Sequence, residues 1–272
     1  MYQVLVPVDE DENRALNQAQ YVAQLPNAGS DVNATVLSVI PPSSLDTVED
    51  VEFEESTAAV EAAAHLESQG VAVDRLVGDG GVGAEIVRIA AELDCDEIVM
   101  GGRKRSGVAP ILLGSTVRDV FVSTDRPVTI TGSGMGLDGG STELLLPVDR
   151  NVERARHQAA YASSLPGAAD TVSATVLYVY PHQDYAGAPP HDFEEIGAAV
   201  AAAEALEAEG ISVERVALGG EVTRKILATA EDRDADGIVM GGRRRSGVQK
   251  VILGSIAEDV MLSADRPVTL TG

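Results

Sequence analysis

The sequence predicts an α/β protein of two tandem, doubly wound, five-stranded parallel sheets, and three observations carry that prediction. Short apolar runs alternate with longer stretches of helical periodicity, as in strand-helix-strand units whose right-handed crossovers make a sheet parallel. Apolar residues make up 44% of the chain but aromatic ones only 3%, with no Trp, so the core must be Val, Ile, Leu and Ala. That suits a sheet covered on both faces by Ala-rich helices. The chain also repeats itself: VPVD at 6–9 returns as LPVD at 146–149, ATVLSV at 34–39 as ATVLYV at 174–179, and IVMGGRKRSGV at 98–108 as IVMGGRRRSGV at 238–248. The offset is always 140 residues, and about 60 of 132 aligned positions are identical without a gap, which points to duplication of one folding unit.

The repeat divides the chain into a first copy at 1–132, a linker at 133–140 and a second copy at 141–272. The glycines of GSGMGLDGGS, 132–141, predict a flexible connection. In the first copy the strand at 3–8 opens the unit, and a helix at 13–24 leads to a strand at 32–40. A helix at 53–69 follows, with Val60, Ala63, Ala64 and Leu66 as its apolar face and Gly70 just past its end, where a left-handed cap is needed. A strand at 73–77, a helix at 83–94, a strand at 97–101, a helix at 114–123 and a strand at 127–131 complete the unit. The segment from Pro41 to Glu52, and its counterpart PHQDYAGAPPHD in the second copy, diverge most and are expected to be surface loop.

The formal charge is −23, from 43 acidic against 20 basic residues, and only Lys104, Lys225 and Lys250 are lysines. Such a surface repels duplex DNA and anionic lipid, so neither nucleic acid nor membrane is an expected partner. No run reaches the roughly 18 apolar residues of a spanning helix, and the chain opens directly as a strand without a basic leader, so a cytoplasmic location is expected. Acidic excess with few lysines is also the pattern of proteins from high-salt organisms, where screening removes self-repulsion, and a halophilic archaeal source is the expectation. A fold that stays compact in salt-free buffer would count against it. Cys95 stands alone, with Ala235 at its counterpart, and reads as a small buried apolar residue. His65, His157, His182 and His191 have neither metal-ligand nor triad spacing, so no metal site and no catalytic residue is expected.

In a sheet ordered 3-2-1-4-5 the ligand crevice lies past the carboxyl ends of strands one and four, where strand order reverses. The residues there are Pro7, Val8 and Asp9 with Met100, Gly101 and Gly102, and in the second copy Pro147, Val148 and Asp149 with Met240 and Gly241. A tight turn that must keep its glycines explains them equally well. Strand four continues into GGRKRSGVAPILLGS, after which a helix starts near Gly114, Ser115 and Thr116, or Gly254 and Ser255. Backbone N–H groups there, with the serine hydroxyl, suit a phosphate. Arg103 and Lys104, matched by Arg243 and Arg244, add positive potential or simply form an exposed basic loop paired with carboxylates. GDGGVG at 78–83 fits a dinucleotide fingerprint, but it follows the third strand and the second copy reads LGGEVT, so a flexible turn is the better reading.

At these residues the chain resembles the universal stress protein family, over both copies. Members that bind ATP carry Gly, two residues, a second Gly, nine residues, then Gly with Ser or Thr. Gly101, Gly114 and Ser115 match the first, third and fourth positions, as do Gly241, Gly254 and Ser255; the second is Lys104 or Arg244. A long side chain there either fills the phosphate site or contacts the phosphates in place of backbone. The resemblance implies a Rossmann-like fold and an adenine nucleotide, ATP or AMP, as ligand. It matches Asp9 and Asp149 to an adenine-contacting aspartate and Val39 and Val179 to a valine lining the base pocket. In the second copy Ile256 replaces Thr116 beside the phosphate-facing turn. The resemblance further implies pairing of last strands, here PVTIT with PVTLT, as an intramolecular pseudo-dimer, with further homo-oligomerisation open. The expected function is a regulatory stress-response module without fast chemistry. The alternatives are a ligand-free scaffold closed by Lys104 and Arg244, and a slow adenine-nucleotide hydrolase.

Overall fold

Residues 1–41, 52–102, 114–132, 141–182, 184–242 and 254–272 are described in a computed structural model. The chain divides into two units, Met1–Gly136 and Leu137–Gly272. The first unit runs β1 (Tyr2–Val8), α1 (Glu12–Ala23), β2 (Val32–Ile40), α2 (Thr57–Ser68), β3 (Ala72–Asp79), α3 (Val82–Glu92), β4 (Glu97–Gly101), α4 (Ser115–Ser123) and β5 (Val128–Thr131). The second runs β6 (Thr142–Val148), α5 (Val152–Ser164), β7 (Val172–Pro181), α6 (Gly197–Ala208), β8 (Ser212–Gly220), α7 (Val222–Asp232), β9 (Gly237–Gly241), α8 (Ser255–Ser263) and β10 (Val268–Thr271). Strand order is β3-β2-β1-β4-β5 in the first unit and β8-β7-β6-β9-β10 in the second, the 3-2-1-4-5 arrangement read from the sequence.

Local chemistry sets the boundaries. The Asp11 carboxylate accepts from the Arg14 N–H at 3.0 Å and starts α1, and Asn151 does the same for α5 at 2.9 Å. The helix expected over 53–69 begins later, because Ser56 caps it by accepting from the Ala59 N–H and leaves Phe53–Glu55 as a separate 3-10 turn. Its buried face is Ala58, Ala59, Ala62, Ala63 and Leu66, whereas Val60 and Ala64 point to solvent. The expected face was rotated by about one residue: an alanine-rich helix has too little polar contrast to fix its phase, and packing against β2 and β3 fixes it instead. Gly70 takes the left-handed cap, φ 82°, as expected. A helical turn at Ala28–Asp31, entered through left-handed Asn27, was not anticipated. The Pro41–Glu52 loop of the first copy lies almost wholly outside the described residues, as does the linker.

Both faces of β1 are covered, with Val4, Leu5 and Val6 buried among side chains such as Leu37 and Ile98. β1 pairs with β2 in register from Tyr2↔Val32 to Val8↔Ser38. With β4 it pairs only at Val4↔Glu97 and Leu5↔Ile98, and β6 repeats this with β9 at Leu144↔Gly237 and Leu145↔Ile238. Beyond those pairs the strands separate towards their carboxyl ends, which opens the crevice at the switch point.

Candidate functional site

Separating two strands leaves backbone carbonyls without ladder partners, and a buried carbonyl needs one. Gln18, on the inner face of α1, supplies it: its Nε2 donates to the carbonyls of Pro7 and Val99, both at 2.8 Å. Gln158 does the same for Pro147 at 2.9 Å and Val239 at 2.7 Å. The helix therefore lies close to the end of the fourth strand. A Cβ added to Gly101 would sit 3.0 Å from Arg14 Cβ and 3.1 Å from Gln18 Oε1, and one on Gly102 would sit 2.8 Å from the Thr131 carbonyl oxygen. Packing alone accounts for these two glycines.

Gly114 differs. It caps α4 with φ −58° and ψ 151°, a conformation open to any residue, and a Cβ there would meet nothing within 4 Å among the described residues. No side chain caps this helix or its counterpart α8, which starts at Gly254. Ser115 and Ser255 are exposed at the two helix starts, where backbone N–H groups lack helical partners.

In the second unit these parts enclose a cavity of about 260 Å³, near the small end of the roughly 300–1,000 Å³ typical of ligand sites. Of the residues predicted from sequence, the β6 end supplies Pro147, Val148 and Asp149 and β7 supplies Val179. Met240 and Gly241 come from the β9 end, and Gly254 and Ser255 from the start of α8. Ile256 lines it too, putting an apolar side chain where the first copy has Thr116. In the first unit Pro7 and Met100 are buried, Val39 and Thr116 are half-buried and Asp9 is exposed. Arg103, Lys104, Arg243 and Arg244 lie outside the described residues.

Sequence reading missed three kinds of residue. Arg14 donates from Nη2 to Asp9 at 2.6 Å and from Nη1 to Asp11 at 2.7 Å, so the aspartate at the strand end is held by the next helix. Arg154 holds Asp149 in the same way. Gln18 and Gln158 were missed as well, and so was Arg150, whose Nε donates to the Tyr178 hydroxyl at 3.0 Å on the rim of the cavity. The signal that could have found the first two kinds is the repeat: Arg14 and Gln18 persist as Arg154 and Gln158, and Gln18 lies on the same buried stripe as Ala15, Ala19 and Val22. GDGGVG proves to be structural at its first glycine, since a Cβ on Gly78 would strike Glu85 Cγ at 2.8 Å. Among the described residues no three His, Cys, Asp or Glu lie together as a metal site, and no helix is long and apolar enough to cross a membrane.

The profile of the universal stress protein family matches residues 1–132 and 141–272. Two universal stress proteins of Methanocaldococcus jannaschii align at 37% identity over 59 residues and 32% over 63, or 22% and 23% of this chain. These alignments span only 35% and 39% of the two relatives. Among solved structures, a universal stress protein from Archaeoglobus fulgidus superposes with a TM-score of 0.74 at 23% identity, covering 99% of this chain and 97% of that one. A Pseudomonas aeruginosa protein of unknown function gives 0.67 at 18% identity, covering 100% and 92%. Likeness at this level of identity speaks for the fold.

Proposed function

The chain belongs to the universal stress protein family over both copies, and from that premise we propose that it is a regulatory module binding an adenine nucleotide in at least one copy, at the carboxyl ends of that copy's first and fourth strands. One observation carries the reading. The uncapped start of α8, with Gly254 and Ser255, opens into the same cavity as the strand-end Asp149 and the apolar Val179 and Met240. A base fits against the apolar side and a phosphate against the helix start, where aligned N–H groups favour negative charge.

The residues bind and orient without an evident reaction centre. Asp149, the strand-end carboxylate that lines the cavity, is paired with Arg154 rather than left to act as a base. A binding role therefore explains the site with fewer assumptions than hydrolysis. The test is mass spectrometry of small molecules released from the purified protein, followed by titration with ATP. Recovery of ATP, ADP or AMP near one or two equivalents supports the reading. An empty protein that also ignores added ATP favours the ligand-free scaffold, and replacing Lys104 and Arg244 by Gly should then create affinity.

A further inference from the structure

The two copies share a backbone at the mouth of the crevice but not a charge. Between the end of the first strand and the first turn of the next helix, the first copy reads Asp9, Glu10, Asp11, Glu12 and Arg14, a net charge of −3. The second reads Asp149, Arg150, Asn151, Glu153 and Arg154, a net charge of 0. The change leaves the local structure intact. Asn151 caps α5 as Asp11 caps α1, and Arg154 binds Asp149 as Arg14 binds Asp9. What changes is the state of the arginine: Asp11 also holds Arg14, whereas no ion pair to a second carboxylate is seen for Arg154 among the described residues.

Arg150 is not a loose surface charge. Tyr178, buried where the first copy has Ser38, receives its Nε hydrogen bond. The Tyr178 ring rests edge-on against Tyr180 at 4.9 Å, and Tyr180 stacks on His191 at 5.0 Å. Arg150, Arg154 and Tyr178 all line the cavity. Three helix starts gain an acid in the second copy, none of them in the cavity lining: Glu153 for Asn13, Glu258 for Arg118, and Glu221 for Gly81, whose carboxylate turns to the N–H groups of Thr223 and Arg224. The asymmetry extends over whole copies: residues 1–132 carry 22 acidic and 8 basic residues, and residues 141–272 carry 20 and 12.

We propose that the two sites are specialised by charge, so that the second copy is the site for phosphorylated nucleotides and the first copy rejects them. Resting on the nucleotide reading above, this adds which copy binds and by what chemistry. Arg150 and Arg154 supply positive potential beside the start of α8, and Tyr178 is the positioning residue that aims Arg150. In the first copy Glu10 and Asp11 place two carboxylates at the same rim and repel polyphosphate.

The test is calorimetric titration of the full chain with ATP and, separately, with uncharged adenosine, at two salt concentrations. Wild-type protein should take up one equivalent of ATP. Arg150→Glu with Asn151→Asp should weaken ATP binding about ten- to a hundredfold and adenosine binding about twofold or less, with most of the difference lost in high salt. Glu10→Arg with Asp11→Asn should add a second equivalent. The milder Tyr178→Phe should weaken ATP about two- to threefold and flatten its salt dependence, leaving adenosine alone. Two equal ATP sites in wild type, or an ATP affinity indifferent to the second-copy double substitution, overturns the proposal while leaving nucleotide binding in place. Binding of neither probe overturns both.

Discussion

The two copies solve one buried position in opposite ways. In the first, Glu97 stands fully buried at the start of β4, and its carboxylate accepts from the hydroxyls of Tyr2 and Tyr21, each at 3.1 Å, and from Thr129. In the second, Gly237 takes that place, Thr142 replaces Tyr2, and the Tyr161 and Thr269 hydroxyls are 3.3 Å apart, with Thr269 donating to Tyr161. A buried carboxylate is tolerable only inside a complete set of donors, and a set of donors without its carboxylate must close on itself. The comparison teaches that the duplicated fold fixes the backbone and leaves the polar interior to change as connected groups, since no member can change alone.

The sharpest way to break this comparison is to move the carboxylate alone. Gly237→Glu puts an acid where Thr142 stands in place of Tyr2, and its Cβ would already lie 3.3 Å from Leu144 Cδ2. We expect a loss of about 3–5 kcal/mol in the second unit. Glu97→Gly should cost the first unit about 2–4 kcal/mol, partly recovered when Tyr2→Thr is added. Hydrogen exchange followed separately in each unit is the measurement, because a chain of two domains does not unfold in one step. An unchanged second unit in Gly237→Glu would mean that the hydroxyls there form a donor set of their own.

A smaller effect should be equal in the two copies. Gln18→Leu and Gln158→Leu each strip partners from two buried carbonyls, and each should cost about 2 kcal/mol in its own unit. Equal losses would show that the strand separation is one shared device, beneath whatever differs at the rim. A loss in one copy only would show that water or a neighbouring side chain has taken over in the other.

Much of this was legible in the sequence, and the rest was not for identifiable reasons. The repeat and the alternation of strand and helix gave both sheets, because burial on two faces forces continuous apolar strands such as ATVLSV and ATVLYV. Strand order then put Pro7 to Asp9 beside Met100 and Gly101, and in the second copy their counterparts line one cavity. Periodicity could not phase α2, whose exposed Val60 and Ala64 are as apolar as its buried Ala59 and Ala63. Gln18 was hidden because its role depends on how far β1 and β4 separate, a tertiary fact. Arg14 was passed over because its pairing with Asp9 depends on how the strand end meets the next helix. The paired glycines Gly101 and Gly102 drew attention as a ligand turn, yet packing explains them.

The smallest expected effect separates the copies by pH. Cys95 is buried in the first unit, and the second has the similarly buried Ala235. Burial pushes the Cys95 thiol up from its ordinary 9.0 to about 11, with Arg126 lowering it less than burial raises it. The folded state thus holds the thiol proton above pH 9, where the unfolded chain releases it. The resulting stabilisation is fully present below pH 9 and is lost as pH rises through about 11. At pH 10 the first unit should have lost about 1 kcal/mol through this group. Cys95→Ala should cost the first unit about 1 kcal/mol near pH 7, since the second unit accommodates alanine in the same surroundings, and should remove the thiol's share of the alkaline decline. The measurement is the difference between wild-type and Cys95→Ala stability at pH 7 and pH 10, which cancels the lysines and tyrosines that titrate in both. A difference that does not shrink from pH 7 to pH 10 would mean that the thiol reaches water, and that burial there is not shared by the two copies.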